Sequence, residues 1–274
     1  MKKLKKNIFI FSIVTLTSGW IGVFIDNILT EQPEGNSLGM LIWLVLPFLA
    51  SIILRITSHD RKDMGVKPNF LNNFKEYLLA ICIYPFVTAI LIGIALILGC
   101  IEQYSFNLES LISLALFYTL AGMLKNIFEE FSWRGYLTPK LIKLGIDNWK
   151  LYFVSGLIWG LWHSAYYLVF LPDSYFTSTS RITTLFFGCL IMMCWTVMYV
   201  EIYRLTKSVW ACVLMHMIGN SLTAIVSADG NISLTPNSDI WLNPTNGIIS
   251  MILYLSIGIL LRKYRLQRSE GKNE

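Results

Sequence analysis

The chain has 274 residues, 55% of them hydrophobic and only 14% charged, with a mean hydropathy of +0.57 and a formal net charge of +5. An ordinary soluble domain is about 25% charged, so this chain has too little polar surface to solvate itself. That balance excludes a soluble enzyme, a secreted disulfide scaffold and a disordered chain. With no dense basic stripe away from the ends, it also counts against a nucleic-acid partner. The reading is an all-α, polytopic membrane helix bundle.

A helix crossing the ~30 Å hydrocarbon core needs about 20 mostly apolar residues. Hydropathy predicts eight such spans, at about 7–27, 38–56, 77–100, 109–130, 151–171, 182–203, 208–226 and 247–261. The last is short, the seventh carries polar residues, and the fourth runs on toward the cytoplasmic boundary. The lysine-rich start, Met1 to Lys6, precedes an apolar run with no small-x-small cleavage site, so the first segment is expected to stay as an uncleaved span. Between the spans, residues 57–75 form a polar connection, and 135–150 carry Leu137, Leu141, Ile142 and Leu144 among lysines as a short amphipathic interfacial segment. Residues 227–246 form the longest external loop. No linker divides the chain, which is expected to be one integral-membrane domain over 1–274.

Positive residues favour the cytoplasmic side. Of the 22 lysines and arginines, Arg181 alone falls in an expected external loop when both ends are placed inside. Lys125 and Arg134 lie near the cytoplasmic end of the fourth span. An N-in/C-in layout with an even span count follows, and the net charge reflects topology and contact with anionic lipid. The cysteines (Cys82, Cys100, Cys189, Cys194 and Cys212) show no metal-ligand spacing and read as buried free thiols.

Ionisable groups inside a membrane are costly and mark functional sites by default. The spans hold a small set: Glu129, Glu130, Arg134, His163, His216 and Asn220. Glu130 and Arg134 are four apart on one helical face and can pair; Glu129, five from the arginine, points elsewhere. A carboxylate against a low-dielectric wall is how a glutamate becomes a general base near neutral pH. His163, ~18 Å into the fifth span, has Trp159 one turn earlier to pack on its ring and Tyr166 and Tyr167 as polar neighbours. His216 and Asn220 share a face of the seventh span and offer donors to a common point, as an oxyanion site needs. Gly219 permits another backbone to come close. Each group alone equally suits an ion-pair anchor or interhelical hydrogen bonding. Three spans each presenting such groups make coincidence a poor explanation.

Glu-Glu-x-x-x-Arg at 129–134, aromatic-x-x-x-His at 159–163 and His-x-x-x-Asn at 216–220, in that order, resemble the three motifs of the CPBP (ABI) family of intramembrane proteases. That family includes the CAAX prenyl endopeptidases and bacteriocin-immunity proteins. Tyr203 to Trp210, leading into the third motif, is similar in character, and the resemblance covers a core of 109–226. It implies an α-helical membrane endopeptidase acting on a membrane-associated peptide or protein, its site open toward the cytoplasmic leaflet. Glu129 and His163 would activate water, His216 and Asn220 would stabilise the oxyanion, and Glu130, Arg134 and Trp159 would support the site. The family often has Phe where this chain has Trp159, a change bearing on pocket shape.

The resemblance leaves the chemistry open between metal-free general-base catalysis and a divalent metal such as zinc held by Glu129, His163 and His216. No His-Glu-x-x-His signature is present. A non-enzymatic membrane immunity or regulatory binding protein is the main alternative, and a proton or ion relay a third. The predicted second, third and eighth spans carry no internal ionisable group that would favour the relay. Lysine-rich ends and the N-in topology suit a bacterial plasma membrane.

Overall fold

A computed structural model describes residues 1–29, 31–33, 36–60, 62–104, 108–176, 179–223 and 232–270. Arg61, Lys272, the end of the seventh predicted span (224–226) and the first part of the 227–246 loop lie outside the described residues. The chain divides into two compact units, Met1–Gly65 with Phe128–Thr196 and Val66–Ile127 with Val197–Glu274.

In the first unit, α1 (Lys2–Ile28) packs along α2 (Leu38–Ser58). Gly22 and Gly39 let the two backbones touch, since a Cβ on either would collide with the other's main chain. Ser37 caps α2 by accepting from the Met40 amide at 3.1 Å, and Asp26 accepts from the Gly39 amide at 2.8 Å. His59 ends α2 in the left-handed region, at φ 55°. From α5 (Met123–Ser132) the chain passes into a π-helical turn, Trp133–Leu137, and then α6 (Thr138–Leu144), which Gly145 terminates at φ 74°. Asp147 then caps α7 (Asn148–Trp162), accepting from the Trp149 amide at 2.8 Å. A second π-helical turn, Tyr166–Phe170, follows. The 135–150 segment, expected at the interface, is instead partly interior: Thr138, Pro139, Lys140 and Leu141 are buried. Two acids make that burial tolerable, because Lys140 lies 3.1 Å from Asp60 and 3.0 Å from Asp63. Asp63 also pairs with buried Arg55 at 2.6 Å, and Arg55 donates to the Gly135 carbonyl in the π-turn.

In the second unit, α3 (Phe74–Ile97) packs on α9 (Val209–Thr223), which also meets α4 (Leu108–Ala121). The C-terminal part of α8 (Arg181–Thr206), from Val197 on, and α11 (Ile248–Glu270) belong to this unit as well. Strand β1 (Ile101–Tyr104) pairs antiparallel with β2 (Ile232–Leu234), and α10 (Pro236–Leu242) follows. This ribbon and short helix occupy the stretch expected to be plain loop, so the all-helical expectation holds for the spans but not for their connections. Glu76 and Glu201, both buried, are met from α11: Arg268 and Tyr264 reach Glu76, and Arg265 reaches Glu201, which Arg204 also contacts at 3.3 Å.

Five helical segments are long and apolar enough to cross a membrane: Lys2–Ile28, Leu38–Ser58, Leu71–Ile97, Asn148–Phe170 and Arg181–Thr206. The other three predicted spans also correspond to helices. The fourth is broken near Gly122 into α4 and α5, the seventh is the short α9, and the eighth runs into Arg262, Lys263 and Arg265 within α11. Large apolar side chains are exposed along several of these helices, among them Phe9, Phe24, Ile53, Phe86 and Leu116, as suits contact with lipid. The cysteines fit this surface too. Only Cys212 is buried, whereas Cys82 is exposed on α3, because an apolar solvent imposes no cost on an outward-facing thiol.

Candidate active site

Glu129 and Glu130 end α5 just before the first π-turn, and both are buried, with 2% and 0% of their surface exposed. Such wide turns concentrate at functional sites, because the extra residue per turn re-aims side chains that a regular helix would place elsewhere. Arg134 is fully buried and donates to Glu130 Oε1 at 3.1 Å, as the four-residue spacing predicts. Its guanidinium also lies over the Trp159 ring, 4.3 Å from the centroid. Arginine and the second carboxylate thereby form one compensated, desolvated group, which suits a buried charge that must be paired to be tolerated.

Trp159 serves both motifs of this unit. Its indole Nε1 donates to Glu129 Oε2 at 3.2 Å, and its backbone carbonyl lies 2.9 Å from Nδ1 of His163. A carbonyl can only accept, so that contact puts the proton on Nδ1 and leaves Nε2 as the basic nitrogen. His163 closes α7 at φ −78°, ψ 2°, outside regular helical geometry, between the helix and the second π-turn. Rings near His163 include Trp162 at 4.6 Å, Trp43 at 5.5 Å, Tyr167 at 5.8 Å and Tyr166 at 6.1 Å between centroids. Trp43 is anchored in turn by donating to the Trp162 carbonyl at 3.0 Å, and Trp162 donates to Ser18 at 3.1 Å. The Trp159 ring packs toward Trp133 and Trp195.

In the second unit, α9 carries His216 and Asn220. His216 is buried and meets the Tyr199 ring edge-on at 5.7 Å. Asn220 donates to Asn126 Oδ1 at 2.8 Å. Gly219 does admit a close neighbour, but it is a ring and not a backbone: a Cβ there would lie 2.9 Å from Tyr84 atoms. Tyr84 shares a hydrogen bond with Tyr199 at 3.2 Å, so the third motif is walled by two linked tyrosines.

Sequence reasoning placed Glu130 with Arg134, and it expected Glu129, His163, His216 and Asn220 to be interior; the first three are buried and Asn220 is half-buried. It missed Asn126, which is fully buried one turn before Glu129 in α5 and carries the same signal, a polar side chain in an apolar run. It also missed Trp43, Tyr84 and Tyr199, which no local pattern distinguishes from ordinary apolar packing. Among the described residues, no group of three His, Cys, Asp or Glu side chains is placed to hold a metal ion. No chemical step below is routed through a metal.

Outside the spans, Asp60 beside Lys140 is tuned by its partners. The Lys143 ammonium, 2.7 Å from Asp60, holds that carboxyl below its ordinary value of 3.8 against the opposing effect of burial, with Lys140 adding to the lowering. Lys143 is raised above 10.5 by the same contact. This cluster braces the π-turn after Glu130 through Arg55.

Residues 110–222 match the family model described as type II CAAX prenyl endopeptidase Rce1-like. No curated protein matches the chain. The matched segment contains all three motifs and nearly coincides with the expected core of 109–226. This match supports the resemblance of the segment to the CPBP family of membrane proteases, of which the CAAX prenyl endopeptidases are members.

Proposed function

We propose that the protein is an intramembrane endopeptidase that hydrolyses a peptide bond of a membrane-associated protein or peptide. The observation that carries this reading is the double role of Trp159, whose indole orients the Glu129 carboxylate and whose carbonyl fixes the tautomer of His163. A carboxylate and a basic imidazole nitrogen held by one residue are suited to bind and deprotonate a water. In this reading the water oxygen attacks the scissile carbonyl and its proton passes to Glu129. As the family resemblance implies, stabilising the oxyanion falls to His216 and to Asn220, whose carboxamide has two N–H donors, one of them engaged by Asn126. The carbon–nitrogen bond then breaks, and Glu129 returns the proton to the leaving amine. Glu130 and Arg134 keep their charges paired throughout and hold the end of α5.

The same reading comprises a single integral-membrane domain with eight crossings, both termini inside, in a bacterial plasma membrane, and a site open toward the cytoplasmic leaflet. The lopsided distribution of lysine and arginine supports that orientation. The test compares peptides in membranes of cells carrying the wild-type chain and Glu129→Ala by mass spectrometry. Cleavage products that vanish in the variant, with the protein still in the membrane, are expected. Identical peptide populations would overturn the assignment and favour a protein acting by association.

A further inference from the structure

Within the second unit, a cleft of about 700 Å³ opens where α8 ends and α3 begins, flanked by the end of α11. Its walls carry Arg204, Lys207, Arg265 and Arg268. The acids nearest these cations are already engaged: Glu201 by Arg204 and Arg265, Glu76 by Arg268. Lys207 has no carboxylate within ion-pair distance among the described residues. Four cations thus face two carboxylates in a concave, partly desolvated site, an arrangement that concentrates positive potential.

The lysine is also held in place. It sits in the left-handed region at φ 54°, and residues on both sides of the cleft fix the backbone around it. The Thr206 carbonyl accepts from Asn69 at 3.4 Å and Asn73 at 3.3 Å, and Thr206 Oγ1 accepts from the Ser208 amide at 3.2 Å. Burial and the neighbouring Arg204 and Arg265 lower the affinity of Lys207 for its proton, which an anion in the cleft would relieve. Beside these polar walls, Phe70, Leu71 and Phe74 are exposed, Leu71 to 91%. An apolar and aromatic flank next to a cationic cleft, at the end of a membrane-spanning helix, is the profile of a headgroup site with acyl chains alongside.

We propose that this cleft binds the phosphate of an anionic phospholipid headgroup. The proposal is independent of the protease reading. The test uses the full chain, purified in detergent and stripped of lipid, with binding of phosphatidylglycerol and phosphatidylcholine measured by native mass spectrometry. Phosphatidylglycerol is expected to bind more tightly. Lys207→Gln is expected to weaken it about five-fold, the share of one lysine near an anionic surface, with phosphatidylcholine unchanged. Lys207→Arg should restore binding, whereas Asn72→Asp, which sets a carboxylate on the cleft wall, should weaken it in the same sense as Lys207→Gln. Thermal unfolding of each variant checks that the fold is intact. Inorganic phosphate and sn-glycerol 1-phosphate are run as competitors. Displacement only by intact lipid assigns the ligand to the membrane; displacement by the soluble phosphates at equal strength, still dependent on Lys207, overturns the lipid source. Equal phosphatidylglycerol binding by wild type, Lys207→Gln and Asn72→Asp overturns the site.

Discussion

Trp159→Phe isolates the contact on which the proposed chemistry depends. Phenylalanine keeps a ring against Trp133, Trp195 and the Arg134 guanidinium, and it leaves the backbone carbonyl that faces His163 in place. It removes the indole N–H that donates to Glu129 at 3.2 Å. A hydrogen bond to a charged, buried group contributes about 1.5–3 kcal/mol. At about 1.4 kcal/mol per factor of ten in rate, loss of that orientation is expected to slow turnover roughly 10- to 160-fold. The smaller ring and weaker cation–π contact also reduce stability, by about 1–3 kcal/mol, so the rate must be expressed per folded molecule. The assay follows formation of the Glu129-dependent peptides by membranes carrying each variant, with folded protein quantified by thermal melting in detergent. A folded Trp159→Phe protein cleaving at the wild-type rate would refute the claim that the indole positions the reactive carboxylate. A loss matching the loss of folded protein would reduce Trp159 to packing.

At the third motif, Gly219→Ala and Gly219→Val are expected to lower the melting temperature progressively, the larger by an overpacking cost of about 1–3 kcal/mol. The Tyr84 ring that a Cβ would strike is tied to Tyr199 and cannot simply swing aside; unchanged melting in both variants would contradict that geometry. In the Asp60 cluster, a carboxyl held below 3.8 contributes stability that is complete above that value and is lost as pH falls through its folded pKa. Lys143, raised above 10.5, contributes stability below that value that is lost as pH rises through its folded pKa. Thermal melts between pH 2 and 7 should therefore fall less steeply toward acid for Asp60→Asn than for wild type, and parallel curves would count against the pairing.

Hydropathy located the long helices to within a few residues, 38–56 against Leu38–Ser58 and 182–203 against Arg181–Thr206, because lipid demands unbroken apolar length. The motif residues were legible for the complementary reason, since a carboxylate or imidazole in an apolar run has a cost that ordinary packing would avoid. Other features have no local signature. The π-turns after Glu130 and after His163 carry no sequence pattern that marks a widened turn, and only tertiary packing shows it. The hydrogen-bonding role of Trp159 was hidden behind its ring, which sequence alone reads as shape. Glu201 was overlooked although it lies in a predicted span. Its partners, Arg204 and Arg265, were fully accounted for as topology signals, and a charge that sets orientation can also neutralise a buried acid.

The arginines at the end of α11 have a bearing on the order of assembly. During synthesis, Glu76 and Glu201 emerge long before Arg265 and Arg268, partners from the last turns of α11. Until those turns arrive, the start of α3 carries an acid whose recorded partners, Tyr264 and Arg268, have not yet been made. Closure of the second unit is therefore coupled to the emergence of the last turns of α11. A chain stopped after the apolar part of α11, at Leu261, would keep Arg204 beside Glu201 and still lack the arginine that meets buried Glu76.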